Sequence, residues 1–152
     1  MSSVEDRLAD LGIALAETAA PVANYVLARR SGNLLYVSGH LGKRDGKLVR
    51  GKVGAEVSRD DAYQLARGAA IDIIATVRAE LQSLDRVRQV VKLTGFVNSA
   101  PDFTEQSSVI NGASDLLVEA FGERGKHARS SVGMAQLPLG AAVEVEAVFE
   151  VE

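Results

Sequence analysis

Apolar positions recur at helical spacing in two long stretches of the chain and at alternate or clustered positions in several short ones. The first helical stretch begins at Ser58, with Asp61 three residues on, and places Ala62, Leu65, Ala66, Ala69, Ile73 and Val77 on one stripe. The second carries Val109, Ile110, Ala113, Leu116, Leu117, Ala120 and Phe121 at the same spacing and stops at Gly122. A shorter helix is predicted from about Ser3 to Leu11. There Ser3 and Asp6 form a weak capping box, Val4, Leu8 and Leu11 keep helical spacing, and Gly12 follows as a stop.

After Pro21 the pattern turns extended. Tyr25-Val26-Leu27-Ala28 and Leu34-Leu35-Tyr36-Val37 flank Ser31-Gly32-Asn33, which reads as a hairpin turn, and Asp45-Gly46 marks a second tight reversal. Val87 to Val97 reads as a strand between the two long helices. The stretch from Ala128 to Ala147 predicts a closing hairpin: Arg129 opens an apolar strand, and the chain reverses at Leu137-Pro138-Leu139-Gly140. A second strand then returns with Glu144 and Glu146 on one face. The resulting order is β-β-(β)-α-β-α-β-β, an α+β pattern. Each long helix has a single apolar face, so both can cover one side of a mixed sheet. The opposite side carries Val, Ala and Phe without a cover, and a partner subunit is the simplest way to bury it. No repeat, low-complexity tract or linker interrupts the pattern, which predicts one domain over 1–152 with a helical extension over 1–20.

At 152 residues such a domain can bury roughly 70% of its unfolded surface without a staple. The chain has no cysteine, which excludes thiol catalysis and zinc-thiolate sites and suits a reducing compartment. Acids near the N-terminus and the lack of a long apolar run speak against a signal peptide or membrane helix. A cytoplasmic protein with no membrane association is expected. The net charge of −3, scattered basic residues and 5% aromatic content argue against nucleic acid as a partner.

Arg129 is the residue that packing explains least. A guanidinium in a mostly apolar hairpin needs an anionic partner, either Glu144 or Glu146 across the hairpin or the carboxylate of a ligand. Glu144 and Glu146 read as the solvated side of an edge strand; alternatively, one of them meets Arg129 and a water at a subunit seam as an acid/base or water-orienting group. His127, Arg129 and Ser131 share a face by alternation; His127 reads as a lone surface histidine and His40 as a turn residue. Two histidines without ligand spacing predict no metal, and Ser131 lacks a nucleophile elbow. No glycine-rich nucleotide motif is present, so a dinucleotide or nucleoside-triphosphate site is unsupported. Tyr25 alone reads as strand packing. The residues by themselves define a small anion-binding site on an oligomeric α+β domain.

These same segments resemble the reactive-intermediate deaminase family, RidA/YjgF, also labelled endoribonuclease L-PSP. Its signature pairs Ala128-Arg129-Ser130 with a strand containing Val143-Glu144-Val145. The resemblance extends to Tyr25-Val26, Gly32-Asn33, Val37-Ser38-Gly39, Val91-Lys92 and Pro101-Asp102-Phe103. It covers nearly all of the chain after the first 20 residues. The resemblance implies a chorismate-mutase-like fold, a homotrimer with clefts between subunits, and hydrolysis of 2-imino or 2-enamino acids to 2-keto acids and ammonia without a cofactor. It implies that Arg129 binds the substrate carboxylate, Glu144 positions water and Tyr25 lines the cleft, with Ser38, Gly39, Asn111 and Ser131 contributing to substrate binding. Matching Asn111 requires an insertion of several residues before it. Two positions depart from the best-known members: Ser131 stands where they have cysteine, and His127 where they have proline. With the N-terminal helix and the insertion over Ser107 to Gly112, these departures mark a long-form subgroup. A carboxylate-binding protein without turnover is the alternative, with an endoribonuclease or translation inhibitor behind it.

Overall fold

The computed structural model describes residues 3–18 and 23–152; Pro21, expected to open the extended region, lies outside them. The elements are α1 (Val4–Asp10), β1 (Ala28–Ser31), β2 (Leu34–Leu41), β3 (Lys43–Arg44), β4 (Lys47–Leu48), α2 (Arg59–Leu81), β5 (Val87–Asn98), α3 (Gln106–Phe121), β6 (Ala128–Met134) and β7 (Val143–Val151).

The helices begin where their caps predict. Ser3 and Asp6 complete a capping box at α1, and the Ser58 side chain accepts from the Asp61 amide at α2. Within the expected extension, helix covers Val4–Asp10 and the chain from Ile13 to Thr18 is irregular. α1 is tied to the body through Val4 N–H to Asp85 (3.0 Å) and the Leu84 amide to Glu5 (2.9 Å).

Five strands form one sheet in the order β1-β2-β7-β5-β6, antiparallel throughout except for the parallel pair β5/β6. β3 and β4 make a separate two-residue hairpin at Asp45-Gly46. Two expectations are corrected here. β1 begins at Ala28, so Tyr25 and Val26 precede the sheet as exposed, irregular chain. β6 and β7 run in opposite directions but do not pair, because β5 lies between them. Alternation along the chain cannot reveal a third strand inserted between two consecutive ones. The consequence is that β7 is central and β6 is the edge, an exposed strand rather than an apolar one.

α2 and α3 both lie on one face of the sheet. The predicted stripes are its core contact: Ala62, Leu65, Ala66, Ala69, Ile73 and Val77 are buried, as are all seven apolar residues named for α3. They meet Leu35, Val37, Leu93, Val97, Val145 and Phe149. Phe121 and Phe149 stack edge to face with centroids 6.2 Å apart, joining the end of α3 to β7.

Among the described residues, no helix covers the other face. Residues paired directly across strands point to the same side, and that rule places Tyr36, Val148 and Lys92 in one row and Glu144, Phe96 and Val132 in another. Tyr36 is 49% exposed, Val132 40% and Met134 36%. Apolar side chains and carboxylates are therefore mixed on an open sheet surface.

Candidate active site

Register divides the predicted site residues into two groups. Arg129 stands opposite Leu93, which stands opposite Ala147, and both of those are buried under the helices. Glu144 stands opposite Phe96 on the open face. Arg129 and Glu144 thus project from opposite sides of the sheet, with β5 between their strands. An internal ion pair between them is ruled out by topology, and among the described residues Arg129 pairs with no carboxylate.

The first group is built on β6 and α3. Arg129 Nη1 donates to Asn111 Oδ1 at 2.7 Å and to Ser114 Oγ at 3.1 Å. Two neutral oxygens hold one nitrogen of the fork. Its Nε and Nη2 donate to no protein group among the described residues, and that edge suits bidentate capture of a carboxylate. Ser131, two residues on, shares this side; its hydroxyl is buried and has no hydrogen-bond partner among the described residues.

His127 belongs to this group as well, and the expectation of a lone surface histidine is corrected. Its Nδ1 lies 2.7 Å from the Gly125 carbonyl and its Nε2 lies 2.8 Å from Ser114 Oγ. A carbonyl only accepts, so Nδ1 carries the proton and the neutral ring accepts at Nε2 from the Ser114 hydroxyl. Burial lowers the His127 pKa, the Gly125 bond opposes this, and the charge on Arg129 lowers it further. Sequence reasoning missed Ser114. Its signal was available: it lies three residues from Asn111, one helical turn along the same face.

The second group is built on β2 and β7. The register of β2 against β7 shifts between Val37 and His40, so Ser38 and Gly39 form a bulge on that strand. The Glu144 carboxylate lies over Gly39 so closely that a Cβ there would overlap Oε2. Glycine is the residue that permits this approach. Ser38 donates through Oγ to the Val26 carbonyl at 2.7 Å, and its amide donates to Leu27 at 2.8 Å. These bonds tether the segment carrying Tyr25, which is 52% exposed. Burial, reinforced by the Glu146 carboxylate, pushes the Glu144 carboxyl above the usual carboxylate range.

His40 anchors the bulge from the helix side rather than acting as a turn residue. Its Nδ1 lies 2.6 Å from the Ser38 carbonyl and its Nε2 lies 3.0 Å from Thr76 Oγ1 on α2. Recesses of about 490 Å³ beside Arg59, Tyr63 and Ser108, and of about 420 Å³ beside His40 and Asp72, contain neither Arg129 nor Glu144. Among the described residues, no cluster of three or more His, Asp or Glu could hold a metal ion.

The two-layer fold agrees with the similarities of the chain to known proteins. Residues 5–150 match the family described as "YjgF/chorismate mutase-like, putative endoribonuclease". The chain is 51% identical over 149 residues to Protein TCP17 of Trypanosoma cruzi, covering 97% of this chain and 93% of that one. It is 34% identical over 134 residues to a 2-iminobutanoate/2-iminopropanoate deaminase of Dermatophagoides farinae, covering 87% and 89% of the two chains. A "putative endoribonuclease" from Shewanella oneidensis MR-1 superposes with a TM-score of 0.94 at 32% identity, over 99% of this chain and 100% of that one. The chain belongs to the YjgF/RidA family.

Proposed function

We propose that this protein is a hydrolytic deaminase of 2-imino and 2-enamino acids, acting as a homotrimer with its site at the seams between subunits. One domain spanning the whole chain supplies both halves of each site. The observation that carries the reading is the placement of Arg129 and Glu144 on opposite sides of one sheet, the first with a free guanidinium edge and the second on an uncovered face. Two such groups can serve one small ligand when they come from neighbouring chains. The deaminase of Dermatophagoides farinae lends the reaction class its support.

In this account Arg129 grips the carboxylate and fixes the imine carbon, with Asn111 and Ser131 beside it. Glu144, with its raised pKa, holds water against Gly39 and Ser38 and takes its proton as the oxygen attacks C2. Glu144 returns that proton to nitrogen, giving a carbinolamine; it then carries the hydroxyl proton to the amine as the carbon–nitrogen bond breaks, releasing ammonia and the 2-keto acid. Tyr25 donates a hydrogen bond near the departing nitrogen. The imine carbon is electrophilic already, so positioning and proton handling supply the chemistry without a cofactor.

The test generates a 2-imino acid enzymatically and follows keto-acid release. Wild-type protein accelerates release above the spontaneous rate and Arg129→Ala abolishes the gain. Equal rates for wild type, variant and buffer contradict the proposal. A second reading, a carboxylate-binding protein without turnover, draws on Ser131 and His127 standing where the best-known members carry cysteine and proline. Thermal stabilisation by 2-keto acids without any rate enhancement would favour it.

A further inference from the structure

We propose that His127 and Ser114 are positioning residues that set the guanidinium of Arg129 for carboxylate binding, and that the protonation of His127 is coupled to that binding. The inference rests on the proposed role of Arg129 and adds two residues and a pH dependence to it.

The geometry forms one continuous chain: Gly125 carbonyl, His127 ring, Ser114 hydroxyl, Arg129 Nη1, at 2.7, 2.8 and 3.1 Å. Each link determines the next. The carbonyl fixes the ring tautomer, the ring accepts the only proton of the Ser114 hydroxyl, and the lone pairs of Ser114 are thereby left for Arg129. Asn111 supplies the second acceptor for the same nitrogen. Holding Nη1 with neutral oxygens orients the fork without neutralising it. A glutamate in place of Ser114 would hold the arginine more strongly and cancel the charge that a ligand needs.

Other charged groups around His127 are engaged elsewhere. Glu123 pairs with Lys126 at 2.9 Å, Asp115 accepts from Tyr63 at 2.6 Å, and Glu119 pairs with Arg67 at 3.0 Å. Arg124 donates to the Val87 carbonyl at 2.7 Å, and Lys92 reaches Ser130 on the open face at 3.3 Å. Arg129 is the charge that acts on the ring, and it disfavours the imidazolium. Protonation at Nε2 reverses its bond, the ring then donating to Ser114 Oγ, so the chain stays joined while a carboxylate bound to Arg129 offsets the repulsion and raises the His127 pKa. By linkage, carboxylate affinity must then rise as pH falls through the window between the free and bound values. This coupling follows from the charge of Arg129; the positioning role is read separately, from the affinities of the Ser114 and His127 variants.

Two measurements decide the matter. Calorimetric binding of 2-oxobutanoate is carried out in Glu144→Gln protein, so that Glu144 does not titrate alongside. At pH 7, adding His127→Asn or Ser114→Ala is expected to weaken binding about tenfold, the scale of one lost hydrogen bond. His127→Gln, whose amide oxygen falls near the position of Nε2, retains most of the affinity. The gain in affinity on acidification is present with His127 in place and absent after His127→Asn. Unchanged affinity in folded Ser114→Ala and His127→Asn proteins, or an unchanged pH profile, overturns the inference.

NMR titration of the His127 ring needs no ligand. Its pKa should lie below the ordinary 6.5 and rise in Arg129→Gln. Should 2-oxobutanoate fail to bind wild-type protein, the proposed function fails, and the titration still judges the coupling: a His127 pKa indifferent to Arg129→Gln overturns it.

Discussion

Glu144 is held above the usual carboxylate range by burial and by Glu146, with opposite consequences for stability and for chemistry. A carboxyl with a higher pKa in the folded than in the unfolded protein binds its proton more tightly when folded. Its contribution to stability is therefore greatest below the unfolded pKa and declines as pH rises through the folded one. Glu144→Gln removes this decline. The variant should melt at or above the wild-type temperature at pH 7, yet lose about 100-fold or more in deaminase rate. A melting temperature well below wild type would contradict the assignment of strain to this carboxylate. Gly39→Ala tests the same contact from the other side. A methyl overlapping Oε2 forces the flexible carboxylate aside, so activity should fall sharply while stability changes by only about 1 kcal/mol. Circular-dichroism melting beside the turnover assay reads both. At this scale the sequence marks Arg129, Glu144 and the Ser38-Gly39 pair through the resemblance. It hides the contacts of His127, Ser114 and His40, because these depend on which neighbours a helix and a bulge bring within 3.0 Å.

The two long helices hold the arginine side of the proposed site, and their separation is set by Gly112. A Cβ at that position would overlap the backbone oxygen of Tyr63 on α2. Backbone cannot yield as a side-chain end can, so Gly112→Ala should force α3 outward and cost about 1–3 kcal/mol. Since Asn111 and Ser114 flank Gly112 on α3, 2-keto-acid affinity should fall with it; urea denaturation and calorimetry check the two effects. Ser58→Ala, which removes the α2 cap, should cost about 1 kcal/mol without altering affinity. Helical spacing and caps make these elements legible in the sequence, since both are local properties. Strand neighbours are not local. The supposed β6–β7 hairpin reads correctly as two strands and a reversal, yet β5, which precedes α3 in the chain, occupies the space between them. That insertion makes β7 central, separates Arg129 from Glu144, and removes the internal ion pair between them from the alternatives.

For the molecule as a whole, the uncovered sheet face links the fold to the proposed chemistry. Tyr36, Phe96, Val132 and Val148 lie on it beside Glu144 and Glu146, a mixture suited to an interface that also contains a polar site. Placing a lysine on it through Val132→Lys should dissociate the assembly in sedimentation experiments and abolish turnover while leaving Arg129 and Glu144 intact. A fully active monomer would remove the need for a seam. The most direct test mixes two inactive proteins, Arg129→Ala and Glu144→Gln, under conditions that exchange subunits. If each site takes its arginine from one chain and its glutamate from the next, about one seam in four of a randomly mixed trimer is intact, and activity returns to a corresponding fraction of wild type. Mixed assemblies that form and remain inactive would show that Arg129 and Glu144 do not meet across subunits, and would contradict the account.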